Sequence, residues 1–187
     1  MKQTNYQQQG FTLVELSIVL VIIGLIVGGI LVGQDMIKAA TVRSQMTQLD
    51  SYNAAANTFR DKYRYYPGDI ATAVATQYGL SAAAARTGAN TLGDGDGLIE
   101  GGTTTAVADL ANESLMFWSD LNQVGMLAGG FYDSARVALN VGGTALTAGT
   151  LLNFVPSAKL GRGTIIHVFP AVGNNYFFLA GATAASA

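Results

Sequence analysis

Glu15 is a single carboxylate set just inside an apolar run, Phe11-Thr12-Leu13-Val14-Glu15-Leu16, which continues through Ser17 to Val27. An acid in hydrocarbon costs about 2.5–3.5 kcal/mol on insertion scales and less near the interface, so this position calls for a partner or a function. A second group with chemical potential is Leu92-Gly93-Asp94-Gly95-Asp96-Gly97-Leu98-Ile99-Glu100. Asp94, Asp96, Gly97 and Ile99 match the middle of a D-x-D-x-D-G-x-I calcium loop, which sets oxygen ligands two residues apart around a tight glycine turn. Leu92 occupies the first ligand position and cannot coordinate, and the closing acid falls on Thr103, so the match is partial. Glu100 is the nearby oxygen that joins Asp94 and Asp96 as a candidate Ca2+ ligand. A glycine–aspartate surface turn accounts for the same residues.

Catalytic chemistry finds little to work with. There is one histidine, His167, among alternating apolar neighbours, and no cysteine. No serine sits in a nucleophile elbow, and Gly93-x-Gly95-x-Gly97 lacks the spacing of a phosphate loop. The chain reads as a non-enzyme. Missing cysteines also rule out a disulfide staple and a thiolate metal site. A formal net charge of -2 with dispersed basic residues argues against nucleic acid as a partner. The twelve acidic residues all lie at or before Asp133, whereas Arg136, Lys159 and Arg162 follow it. That asymmetry is either chance on a lightly charged surface or charge complementarity between stacked subunits.

The element that must position Glu15 is a helix. Phe11 to Val32 is about 33 Å long as a helix, against a hydrocarbon core of about 30 Å, so the run fits one membrane span. The preceding Met1–Gln9 is polar and lacks the positive-then-apolar order of a secretory signal. No proline appears before Pro67, so the helical pattern continues to about Tyr63. In its distal half Val42, Met46, Leu49, Tyr52 or Asn53, Ala56, Phe59 and Tyr63 recur at three- and four-residue spacing, an apolar stripe on which a sheet domain packs. A coiled coil is the other reading of that stripe, weakened by Ala39, Ala40, Ala54 and Ala55. Gly24, Gly28, Gly29 and Gly33 match the small-xxx-small spacing of helices that approach closely in lipid. They serve close packing, or local melting, or neither.

Gly10-Phe11-Thr12-Leu13-Val14-Glu15 resembles the prepilin cleavage and methylation motif of type IV pilins and type II secretion pseudopilins. The likeness covers Gln9 to Tyr66 well and the remainder loosely. It implies cleavage between Gly10 and Phe11 by a membrane-embedded prepilin peptidase, then N-methylation of Phe11. Residues 1–10 would be a leader, 11–33 the transmembrane and assembly helix, 34–66 its amphipathic continuation and 67–187 a pilin-like head. It also implies a single-pass subunit in the inner (cytoplasmic) membrane, its head outside the cytoplasm. Such a subunit joins a homo-oligomeric filament with related pilin-like subunits on an inner-membrane assembly platform. Glu15 would then meet the new Phe11 amine of a neighbouring subunit, each removing the other's penalty in hydrocarbon; an intrachain pair at helical spacing is the alternative. Two departures stand out: related pilins usually carry a proline about where Val32 stands, and many close a C-terminal loop with a disulfide. The filament is a pilus or a pseudopilus, and a minor tip subunit or adhesin-like binding module with a calcium-stabilised head is the second reading. Major pseudopilins are calcium-dependent, which favours the metal without locating its ligands.

The expected fold class is α+β: a long N-terminal helix with a C-terminal antiparallel sheet packed on its second half. The helix should stop near Tyr63–Asp69, where Pro67 and Gly68 end it. Asp69 is placed to cap a short helix, Ile70 to Tyr78. Ser81–Arg86 reads as a second weak helix, and Asn112-Glu113-Ser114 opens a firmer one through Trp118 and Leu121, ended by Gly125. Trp118 reads as core. Beyond Phe131 short β-rich runs follow at Val137–Val141, Leu151–Val155, Thr164–Phe169 and Tyr176–Leu179. The last two form a hairpin connected by Pro170 to Asn175. Three or four strands would close the sheet, and the small, uncharged tail from Gly181 is expected to fray.

Overall fold

The computed structural model describes residues 10–80, 93–100, 112–127, 154–161 and 163–181. Its elements are α1 (Leu13–Tyr63), α2 (Thr72–Gln77), α3 (Asn112–Gln123), β1 (Thr164–Ala171) and β2 (Asn174–Gly181). The architecture is α+β, as expected. The chain forms two compact units, Met1–Arg43 and Ser44–Ala187, and α1 has residues in both.

In the first unit the side chains from Leu13 to Val32 are all exposed. This part of α1 is long and apolar enough to cross a membrane, and its exposure is what a lipid-facing surface requires.

In the second unit the helix buries Gln45, Ala55, Ala56, Phe59 and Tyr63, with Leu49 and Tyr52 half-covered. The apolar stripe is therefore real from Leu49 onward. Its first two members fall outside it: Val42 is 50% and Met46 60% exposed. A polar residue, Gln45, takes the buried place instead. Gln45 Oε1 accepts the Leu160 amide at 3.2 Å, and Gln48 pairs with the same segment, accepting from Lys159 N at 3.1 Å and donating to the Ser157 carbonyl at 3.0 Å. Two glutamines one turn apart thus pin residues 157–160, a role that periodicity of apolar residues cannot reveal.

The helix ends at Tyr63. Arg64 adopts a left-handed conformation and donates its amide to the Arg60 carbonyl at 2.8 Å, closing the C-terminus before Pro67. The α3 helix ends with Gly125 N bonded to Asn122 O at 3.0 Å and Met126 N to Leu121 O at 2.9 Å, a Schellman pair at the expected glycine.

The β1 and β2 strands pair antiparallel from Thr164↔Gly181 to Ala171↔Asn174. The connection is tighter than Pro170–Asn175: only Val172 and Gly173 remain in the turn, both at positive φ, the geometry that matches strand twist. Proline fits inside β1 because pairs alternate in type. Ala171↔Asn174 closes a two-residue turn and is hydrogen-bonded, so Pro170↔Asn175 is a pair whose amides point away from the partner. Among the described residues a third strand is reduced to a single bridge, Ser157↔Ile165, flanked by Ala158 N to Thr164 O and Ile166 N to Pro156 O. Phe154 and Val155 are buried there without forming a strand. Val137–Val141, Leu151–Asn153 and Ser81–Arg86 lie outside the described residues.

The core joins α1, α3 and the hairpin. Trp118, fully buried, meets Tyr52 edge-on at 5.0 Å and Phe117 at 4.9 Å, with Phe177 at 6.0 Å. Edge-to-face rings at these distances add about 0.5–1.5 kcal/mol per pair beyond burial.

Candidate functional site

At the N-terminus of α1, Phe11 is 92% exposed next to Gly10. Thr12 and Glu15 form a reciprocal cap. Glu15 Oε2 accepts from Thr12 N at 2.8 Å and from Thr12 Oγ1 at 2.7 Å, while Glu15 N donates back to Thr12 Oγ1 at 3.3 Å. This is the T-x-x-E capping box, which satisfies amides that the first helical turn leaves without partners. Within the chain the carboxylate is thus already supplied with two donors, and the residue that supplies them, Thr12, was legible from its spacing to Glu15 alone.

The glycine–aspartate loop is built around groups from elsewhere. Asp69, 1% exposed, does not cap α2: that helix begins after Ala71 and has no side-chain cap. Its carboxylate turns to the loop instead, accepting from Gly95 N at 2.7 Å and Gly97 N at 2.8 Å. Glu113, in the first turn of α3, accepts from Gly93 N and from Glu100 N, the latter at 2.6 Å. Asn175 of β2 accepts from Ile99 N at 2.8 Å and donates to the Gly97 carbonyl at 2.8 Å. Asp94 and Asp96 accept from Asp96 N at 3.1 Å and Leu98 N at 2.8 Å, closing two local turns. Every residue from 93 to 100 other than Asp94 therefore donates its amide hydrogen to a side-chain oxygen.

Two glycines permit this closeness. At Gly93 a side chain would collide with the Ile70 carbonyl oxygen; at Gly68 it would meet the Glu113 carbonyl oxygen and approach the Phe117 nitrogen to 2.9 Å. Both hold positive φ. The Gly68 amide in turn donates to Asp120 Oδ2 at 2.8 Å, a further buried acid of α3 holding backbone.

Burial pushes the Glu113 carboxyl up to about 8, against the lowering effect of its two amide donors and with help from the neighbouring charges of Asp69 and Glu100. Burial likewise pushes Asp69 up to about 6, opposed by Gly97 and Gly95 and assisted by Asp96 and Asp94. One oxygen each from Asp69, Asp94 and Glu113 lie within 4.8 Å of one another, so these three could hold a cation. Asp94 is common to this group and to the set named from sequence; Asp96 and Glu100 lie outside it. Glu113 and Asp69 carry no local sequence signal for that position, since they reach the loop across 20 and 26 residues.

His167 is buried on β1 against Phe178, ring centroids 5.2 Å apart, and burial pushes its pKa down.

Residues 5–31 match the family model described as the prokaryotic N-terminal methylation motif, the signature of type IV pilins and pseudopilins. No curated protein and no solved structure matches the chain.

Proposed function

We propose that this chain is a structural subunit of a helical filament, a type IV pilus or a type II secretion pseudopilus. It is cut between Gly10 and Phe11 by a prepilin peptidase and methylated on Phe11. The apolar part of α1 holds it in the inner membrane with its head outside the cytoplasm, and it polymerises through that helix with copies of itself and related subunits. What carries this reading is the methylation motif at residues 5–31 running directly into an exposed, membrane-length apolar helix. In the assembled state Glu15 would exchange its Thr12 donors for the charged amine of a neighbour's Phe11, which an ion pair in low dielectric favours. The test is mass spectrometry and electron microscopy on cells making the wild type, Gly10→Val and Glu15→Ala. Wild-type protein should lose residues 1–10, Gly10→Val should keep them, and Glu15→Ala should mature yet leave no filaments. Normal filaments from Glu15→Ala would refute the pairing.

The carboxylate cluster favours a second reading, a minor tip subunit whose head is stabilised by calcium. Asp94 would hold the ion with Asp69 and Glu113, or with Asp96 and Glu100 as the loop motif suggests. The donor set suits it: hard oxygens of like charge, each carboxylate keeping lone pairs beyond those its amide donors use. Calcium would supply charge neutralisation there and no chemistry. Scarcity in sheared filaments, with a chelator-sensitive melting temperature, would support this reading; abundance and indifference to chelator would remove it.

A further inference from the structure

A pocket of about 220 Å3 opens between residues 53–57 of α1 and the turn end of the hairpin. We infer that it binds one uncharged, hydroxyl-rich ring, a sugar residue. The inference concerns the head alone and is independent of whether the chain polymerises.

Its lining is the first argument. Asn53 and Asn57 line it from α1 and Asn174 and Tyr176 from the hairpin, together with Tyr66, Phe117 and Phe177. Among the described lining residues no side chain is charged at neutral pH. An ionic ligand would therefore be desolvated without a counter-charge, whereas a neutral one meets paired donors and acceptors. A carboxamide offers both at once, which suits adjacent hydroxyls that each donate and accept. Phe117 is buried, so the half-buried rings of Tyr66 and Phe177 and the exposed Tyr176 are the ones left to meet the apolar face of a sugar ring.

The second argument is which of these groups are spent. Asn175 is committed to Ile99 N and the Gly97 carbonyl. Tyr66 is held in place by Arg60, whose Nη1 donates to the phenol oxygen at 2.9 Å and whose guanidinium lies 4.7 Å from the ring centroid. Asn53 and Asn57, by contrast, are exposed, and their side chains make no hydrogen bond among the described residues. They sit one turn apart in a helix interior, where asparagine is a poorer helix former than the alanines between them. The wall held by these bonds is preorganised, and the two free carboxamides remain available to a ligand. Its volume lies below the roughly 300–1,000 Å3 of drug-sized pockets, so it admits one ring.

The test uses the full chain in a micelle of a detergent without a sugar headgroup. It is titrated with methyl glucoside, N-acetylglucosamine and maltose, and with glucuronate and glucosamine as charged counterparts. Ligand-observed saturation-transfer NMR reports contact. Trp118, the only tryptophan, adjoins Phe117 and Phe177 of the lining and gives a fluorescence readout. At least one neutral sugar should saturate with a dissociation constant on the order of 1 mM, consistent with about -0.3 kcal/mol per atom for a small ligand. Asn53→Ala and Asn57→Ala should each weaken it about tenfold, as loss of a buried hydrogen bond does. Both variants favour the helix, so unfolding would not explain the loss. No saturation transfer from any neutral sugar overturns the proposal. So does equal binding of the charged sugars, or binding indifferent to both asparagine variants.

Discussion

Asp69 and Glu113 divide one loop between them: Asp69 takes the amides of Gly95 and Gly97, Glu113 those of Gly93 and Glu100. Neither acid is sequence-local to the loop, and both are buried. The loop is therefore held by carboxyl oxygens placed beneath backbone donors. Each carboxyl is more stable protonated in the fold than in water, because burial outweighs the amides it accepts.

That balance sets the direction of the pH response. A carboxyl whose folded pKa is raised binds its proton more tightly in the native state. Stability is then fully present below the unfolded value and is lost as pH rises through the folded one. For Glu113 the window runs from its ordinary 4.5 to about 8, and for Asp69 from 3.8 to about 6. His167 works oppositely, losing stability as pH falls below its ordinary 6.5. Between pH 8 and 6.5 Glu113 dominates. The head's melting temperature, measured in chelator, should rise by a few degrees as pH falls across that interval. Glu113→Gln should be less stable overall, since one amide loses its acceptor, and should flatten the slope. An unchanged slope in the variant would assign the response elsewhere.

Gly68 sits where the chain passes against α3, and a Cβ there would strike the Glu113 carbonyl oxygen. Gly68→Ala combines that collision with a positive φ unfavourable to alanine. It should destabilise the second unit by about 3 kcal/mol, the sum of typical overpacking and backbone-strain costs. Urea unfolding followed through Trp118 fluorescence measures it. A loss below about 0.5 kcal/mol, the scale of ordinary surface substitutions, would mean that the close approach is absent.

These contacts mark the limit of what the sequence discloses. The course of α1 to about Tyr63 is legible, because a 3.6-residue pattern and a distant Pro67 are local signals. The Thr12 cap on Glu15 has a local T-x-x-E signal too, overlooked in favour of an amine partner. Asp69 misleads for the same reason: next to a helix start an aspartate suggests a cap, but two glycine amides 26 and 28 residues away claim it. Gln45 is buried against its polarity, its side-chain oxygen accepting from a backbone amide 115 residues on. Wherever a polar side chain answers a distant backbone group, periodicity carries no trace of it.

Val172 occupies the first turn position of the hairpin at φ 48°, and its side chain is 98% exposed. A β-branched residue gains nothing from packing there and is strained in the left-handed region. Val172→Asn should stabilise the second unit by about 1 kcal/mol, because asparagine before glycine is the favoured pair in this turn. Thermal unfolding checks the sign, and a lower melting temperature would contradict the turn geometry.

Among the described residues Thr12 alone satisfies Glu15, with its backbone amide at 2.8 Å and its hydroxyl at 2.7 Å. A carboxylate at the edge of hydrocarbon that loses its hydroxyl donor and keeps only the backbone amide is costlier to hold in the membrane, and the helix also loses a cap worth about 1 kcal/mol. Thr12→Ala should therefore lower the amount of subunit recovered in membranes, whereas Thr12→Ser, which keeps the hydroxyl, should restore it. Quantitative blotting of membrane fractions, with cleavage scored by mass, separates this from a defect in maturation. Equal membrane levels for the alanine and serine variants would show that the subunit awaiting assembly does not depend on the Thr12 hydroxyl.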